Sequence, residues 1–256
     1  MRSKRSPSLT TSSQKPDFGR RAARYDELRP TDDNWWELFD ALVRDGDLHG
    51  RRVLDVGCGT GRLANALAKR EACRVWGVDS SPEMLEVARR QADGVTRFRL
   101  ADAEALPFRP GWFERVVMRL VVHLVDRPRA LAEARRVLGP GGRLALATFE
   151  PSHFDRFWLN ALFPSLEAID RARFPSPERL HDELARAGFA GVRATSLRQE
   201  SAIDRETALE KIRGRHISTF DLLGGEEYAA GLARAERELP ERVDYALDWV
   251  VVVARC

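Results

Sequence analysis

Between Arg52 and Phe149, short apolar runs alternate with segments of helical periodicity, and this alternation restricts the fold more than any other feature. Residues 52–56, 74–79, 96–100, 113–120 and 143–149 predict strands. Residues 62–70, 82–92 and 127–138 predict the helices between them, with Ser81 as N-cap and Pro82 at the first helical position of the second. Parallel strands need crossover connections, so such a chain builds a parallel sheet covered on both faces. Farther on, 176–188 reads as a capped helix, 192–197 as a sixth strand and 204–238 as mostly helical. The β-branched run 245–254 is a terminal strand, at an edge or antiparallel.

The expected fold class is therefore α/β: a Rossmann-like, doubly wound, mostly parallel seven-stranded sheet with an antiparallel C-terminal strand and helical cap additions. Residues 1–16 read as a disordered tail, since their Ser, Thr, Pro and Gln bury too little surface to order them. Residues 17–50 read as an N-terminal helical lid, with Trp35, Trp36, Leu38, Phe39, Leu42 and Val43 forming an apolar stripe. Residues 51–150 are the binding core. Residues 151–256 complete the sheet and carry cap insertions at about 151–175 and 204–242.

Charge limits the partners. The formal net charge is +3 with 32% charged residues, and the basic side chains are almost all arginine, lysine appearing only at 4, 15, 69 and 211. Arginines beside acids, as at Glu133-Ala134-Arg135-Arg136, read as a solvated, ion-paired surface, so no nucleic-acid partner is expected. Cys58, Cys73 and Cys256 have neither metal-ligand spacing nor an even count, so neither a metal nor a disulfide framework is expected. No run approaches the length of a membrane span, and the start has no apolar signal region. The expected location is cytoplasmic, as a monomer or homodimer.

The chemistry concentrates after the first strand. Asp55 lies in an apolar run, where a carboxylate is costly unless donors reach it. Gly57, Gly59 and Gly61 then allow a sharp turn and a close approach of backbone to ligand. The spacing is G-x-G-x-G, with Arg62 where the third glycine of the dinucleotide fingerprint would fall, and no Lys-Ser/Thr follows as in a P-loop. Asp79 ends the second strand, where an acid accepts from ribose hydroxyls, and Asp102 ends the third, where it can face an adenine amino group. Each acid alone could be a helix N-cap; three in order at successive strand ends point to a nucleoside ligand.

These residues carry a resemblance. Val53-Leu54-Asp55-Val56-Gly57-Cys58-Gly59-Thr60-Gly61 resembles the first motif of class I S-adenosylmethionine-dependent methyltransferases of the type 11, ubiquinone/menaquinone-methyltransferase-like group. The segments beginning at Gly77, Ala101 and Arg136 are similar to that group's later motifs. Residues 18–30, with Arg24-Tyr25-Asp26, resemble the segment that closes over its cofactor. The likeness is specific over about 20–150 and loose afterwards.

The resemblance implies that S-adenosylmethionine is the cofactor. Gly57 and Gly59 would lie against its methionine part, with Gly61 completing the loop and Asp55 supporting it or reaching the amino group through water. Asp79 would hold the ribose, Ser80 and Met84 would flank the adenine, and Asp102 and Ala103 would bind it. Met118 or Arg119 would offer a backbone carbonyl to the amino group, and Tyr25 would cover the cofactor. Two departures stand out. Phe113-Glu114 replaces the usual Phe-Asp, and only His123 remains where relatives carry paired histidines. Arg119 is unusual beside a sulfonium; it would pair with the cofactor carboxylate or with an acidic substrate.

Methyl transfer from a sulfonium needs alignment and exclusion of water, and a general base only for some acceptors. His123 is the expected base, with His153 and His216 behind it. The aromatic segment 151–175 and the insertion 204–242 are expected to roof a small-molecule acceptor methylated at O, N or C, unless their aromatics are only the cap's own core. Competing readings are an RNA or protein methyltransferase, a non-catalytic cofactor-binding regulator, and a nicotinamide-dependent oxidoreductase.

Overall fold

The computed structural model describes residues 16–92 and 94–256; apart from Pro16, the expected tail lies outside them. Seven strands, β1 (Arg52–Val56), β2 (Arg74–Asp79), β3 (Arg97–Leu100), β4 (Phe113–Arg119), β5 (Leu138–Phe149), β6 (Ala190–Asp204) and β7 (Arg242–Arg255), form one sheet. Their order is β3-β2-β1-β4-β5-β7-β6. The first five are mutually parallel, and β7 runs antiparallel to both neighbours. The strand order reverses between β1 and β4, and a ligand crevice opens beyond the carboxyl ends of the strands at such a point.

The N-terminal segment is less helical than its stripe predicts: a 3₁₀ turn at Gly19–Arg24, then α1 (Asp33–Gly46), whose N-cap Asp32 accepts from the Trp35 amide. Helices α2 (Arg62–Arg70), α3 (Pro82–Gln91) and α4 (Arg127–Val137) are the predicted crossovers, and Ser81 caps α3 by accepting from the Met84 amide. Helices α5 (Leu166–Arg173), α6 (Pro177–Arg186), α7 (Arg205–Arg213) and α8 (Gly225–Glu238) follow.

The terminal strand is antiparallel, as one of the two expectations held, but it lies inside the sheet. Val250, Val252 and Ala254 enter the core on one face, while Trp249, Val251 and Val253 enter the core on the other. An unbroken apolar run suits a strand covered on both sides. The edge is β6, mostly exposed and about twice as long as its apolar stretch predicts. Its far half, Gln199–Asp204, pairs with Arg242–Leu247 beyond the end of β5. These two arms project over the ligand end and carry α7 and α8 between them. A third cluster, with Leu159, Phe163, Leu209, Ile212 and Phe220, gives this cap a core of its own.

Candidate active site

All three loop glycines take left-handed backbone angles: Gly57 at φ +69°, Gly59 at +54° and Gly61 at +78°. Their reasons differ. A Cβ added at Gly57 would stand 2.4 Å from Val121 Cγ2, and one at Gly61 would stand 2.6 Å from Phe98 Cζ. At Gly59 a Cβ would meet nothing within 4 Å, and Gly59 borders a chamber. Packing thus demands two of the glycines, whereas the third leaves room for a ligand.

Asp55 is 1% exposed and its Oδ2 has no hydrogen-bond partner. Burial first, and then the neighbouring Asp79 charge, push its carboxyl up to about 8 against the pull of Arg119. Asp79 is occupied by its own backbone: Oδ2 accepts from the Gly59 amide at 2.8 Å and Oδ1 from the Ser81 amide at 2.9 Å. Burial nevertheless raises its pKa. Asp102 is exposed, its Oδ1 accepting from the Glu104 amide at 2.9 Å.

The chamber brings together Tyr25, Asp55, Gly57, Gly59 and Arg119 of the expected site. Gly61, Asp79, Ser80, Met84, Asp102 and Ala103 lie outside its lining, around the adjoining ends of β1, β2 and β3. Ser80 is exposed, while Met84 is buried beneath α3. The Met118 side chain belongs to the hydrophobic core.

The segment before α1 is fastened to the glycine loop. Asp26 accepts from the Thr60 hydroxyl at 2.8 Å and from Gln91 Nε2 at 3.1 Å, and pairs with Arg62 at 2.6 Å. The other side of the segment is fastened to the cap. Arg21 donates to the Arg215 and Ile217 carbonyls, both at 2.9 Å, and pairs with Asp221 at 2.7 Å. Arg29 donates to the Tyr25 hydroxyl and the His216 carbonyl, and Lys211 donates to the Leu28 carbonyl.

Much of the chamber lining is aromatic, with Phe149, Phe157, Trp158, Tyr245 and Trp249. Phe149 and Trp249 are register partners with ring centroids 4.1 Å apart. The expected division of the aromatics is thus split, since Leu162 and Phe163 build the cap core while Phe157 and Trp158 face the chamber.

The histidines exchange places. His123 does not line the chamber; it stacks on Phe174 at 4.0 Å, and its buried Nδ1 has no partner. Burial, together with Arg173, Arg29 and Arg127, drives its pKa well below the usual histidine range. His153 and His216 do line it. Burial brings His153 down to about 4 despite Asp248, whose carboxylate is 3.8 Å from Nδ1. The Nδ1 of His216 is 2.9 Å from the Lys211 carbonyl, so Nδ1 carries the proton and Nε2 the lone pair. Sequence reasoning missed Arg29, Lys211, Phe149, Tyr245 and Trp249. Only Lys211 gave a local signal, as a lone lysine in an arginine-rich cap.

The sequence pattern of a family described as a methyltransferase domain matches residues 54–146. Over 164 residues the chain is 36% identical to a demethylmenaquinone methyltransferase of Thermus thermophilus, covering 55% of this chain and 74% of that one. Over 187 residues it is 37% identical to a malonyl-[acyl-carrier protein] O-methyltransferase of Geobacter sulfurreducens, covering 68% and 69%. Among solved structures, the YcgJ protein of Bacillus subtilis shares the fold, with a TM-score of 0.61 at 22% identity over 86% of this chain and 98% of that one. A Haemonchus contortus phosphoethanolamine N-methyltransferase solved with S-adenosylhomocysteine gives 0.58 at 19% identity, over 91% and 56%. With its seven-stranded Rossmann-like sheet and glycine loop, the chain belongs to the class I S-adenosylmethionine-dependent methyltransferases and is an enzyme that uses that cofactor.

Proposed function

We propose that the enzyme methylates a small-molecule acceptor held in the aromatic chamber, beside a cofactor held by the loop of β1. The observation that carries this reading is continuity: Gly59 and Asp55 border the same chamber as Phe149, Phe157 and Trp158. Acceptor and methyl donor can therefore meet without crossing solvent.

The residues fit the cofactor. Open space at Gly59 admits a chain beside the backbone, and the orphaned Asp55 Oδ2 suits an ammonium group. Arg119 suits a carboxylate, and Asp79, Ser80, Met84, Asp102 and Ala103 form the adenosine half at the next strand ends. When bound, S-adenosylmethionine supplies an electrophilic methyl group on sulfur. The protein's part is alignment and dryness. The segment around Tyr25 and Asp26 covers the loop, and the arms of β6 and β7 with the cap roof the acceptor side. His216, its tautomer set by the Lys211 carbonyl, presents a lone pair for an acceptor proton; His153 is the second candidate, and His123, stacked on Phe174, does not line the chamber.

Calorimetric titration with S-adenosylhomocysteine and with a nicotinamide dinucleotide tests the site. Binding of the first alone is expected, and weakened by Asp79→Ala. Equal binding by that variant would remove the site assignment.

A further inference from the structure

Most arginines among the described residues find a carboxylate, but several cations bordering the chamber do not. Arg62 pairs with Asp26. Among the described residues, Arg29, Arg119 and Lys211 have no carboxylate within ion-pair distance. Arg29 gives its donors to the Tyr25 hydroxyl and the His216 carbonyl, and Lys211 to the Leu28 carbonyl. The Arg119 guanidinium lies over Trp249 at 5.6 Å and Trp35 at 6.0 Å with no hydrogen bond. Asp32 is committed to the Trp35 amide at 2.9 Å, and Asp55 is a weak counter-ion because burial favours its neutral form.

The charge of the cofactor does not relieve this imbalance. S-adenosylmethionine carries a sulfonium and an ammonium against one carboxylate, a net positive charge that ionisation of Asp55 at most cancels, so its arrival brings no surplus anion to the chamber. Its carboxylate can satisfy one cation, and Arg119 is the one whose charge acts on Asp55 beside the loop. Arg29 and Lys211 then remain at the junction of lid and cap. They are near enough that the Arg29 charge, after burial, holds Lys211 below the usual lysine range, and the opposing charge of Asp32, outside ion-pair distance, does not offset it. Two half-buried cations side by side are costly without an anion between them.

We propose that the methyl acceptor is itself an anion, its carboxylate or phosphate held by Arg29 and Lys211 while an apolar, flat body lies on the Phe149–Trp249 wall. This rests on the reading of the chamber as the acceptor site. A cationic amine would meet repulsion there and an uncharged group would leave both cations without a counter-charge, whereas the field of the site raises the local concentration of an anion. The anionic group also fixes which end of the acceptor faces the glycine loop.

The alternative is that both side chains serve only to tie lid to cap through backbone carbonyls. The test is calorimetry on the full chain with saturating S-adenosylhomocysteine, using cinnamate, phenyl phosphate and the uncharged cinnamamide as probes. At least one anion is expected to bind at millimolar concentration or below, about tenfold or more tighter than the amide. Which anion binds better distinguishes a carboxylate acceptor from a phosphate acceptor. Lys211→Met is expected to remove that preference of anion over amide, and Lys211→Arg to restore it. If Lys211→Met does not fold, loss of the preference at high salt in the wild-type enzyme, against restoration in Lys211→Arg at low salt, decides the matter. No anion binding, equal binding of anion and amide, or an undiminished preference in Lys211→Met overturns the proposal. Failure of S-adenosylhomocysteine to bind at all would instead overturn the assignment of the chamber.

Discussion

The Asp26 carboxylate stands 2.6 Å from the Arg62 guanidinium and accepts from the Thr60 hydroxyl at 2.8 Å. One side chain thus ties the N-terminal segment to the first turn of α2 and to the glycine loop. Asp26→Ala is expected to weaken S-adenosylhomocysteine binding about fivefold, corresponding to about 1 kcal/mol for a charged contact that is a quarter exposed and partly screened. Calorimetry measures it. Unchanged affinity would mean that this segment does not cover the cofactor.

With the cofactor ammonium beside Asp55, as proposed, binding is expected to be a proton-linked event. The Asp55 carboxyl moves from an ordinary 3.8 up to about 8. As pH rises between those values the unfolded chain loses a proton that the folded chain keeps, so this group lowers ligand-free stability through that window. Asp55→Asn should flatten that part of the stability–pH curve. An ammonium beside Asp55 favours its ionised form, so binding at neutral pH should release about one proton. Titrations in two buffers of different ionisation enthalpy read this directly, and identical heats would remove the Asp55–ammonium contact.

The loop glycines should separate stability from binding. Alanine at either Gly57 or Gly59 adopts a left-handed angle at a cost of about 1 kcal/mol. Gly57→Ala also drives a methyl group into Val121, adding about 1–3 kcal/mol of overpacking. Gly59→Ala meets no protein atom but fills space proposed for the cofactor. Thermal melts should therefore show the larger loss for Gly57→Ala. Titration should show the larger drop in affinity, relative to stability, for Gly59→Ala.

His123→Leu is expected to leave turnover within a few-fold of wild type, since the ring lies outside the chamber against Phe174. Stability should hold or rise by about 1 kcal/mol, because a buried nitrogen without a partner is removed. A hundredfold loss of turnover without loss of fold would return the base to this position.

The core between Arg52 and Phe149 was legible because its signals are local: apolar runs mark most of its strands, and Gly57, Asp79 and Asp102 stand at or just past the ends of the first three. Ser81 and Pro82 announce α3 by the same short-range chemistry. The chamber was only half legible. Arg29 reaches the His216 carbonyl and Lys211 the Leu28 carbonyl across most of the chain, and neither has a neighbour in sequence that declares the contact. The length of β6 was hidden because its outer half alternates polar and small residues, and becomes a strand only through pairing with Arg242–Leu247. His123 follows β4 as the sequence places it, but its ring lies against Phe174 and outside the chamber lining, a placement no neighbouring residue announces.

The two projecting arms have an evolutionary consequence. Asp204 pairs with Arg242, and the Arg205 amide donates to the Glu241 carbonyl at 3.0 Å, so residues 205–241 leave and re-enter the sheet at one closed point. A segment joined in this way behaves as a cassette. Its exchange leaves every strand of the glycine-loop half untouched and brings a new wall to the chamber in place of Lys211 and His216. With the acceptor in that chamber, as proposed, its choice can drift by recombination at this graft point while the glycine loop stays inherited.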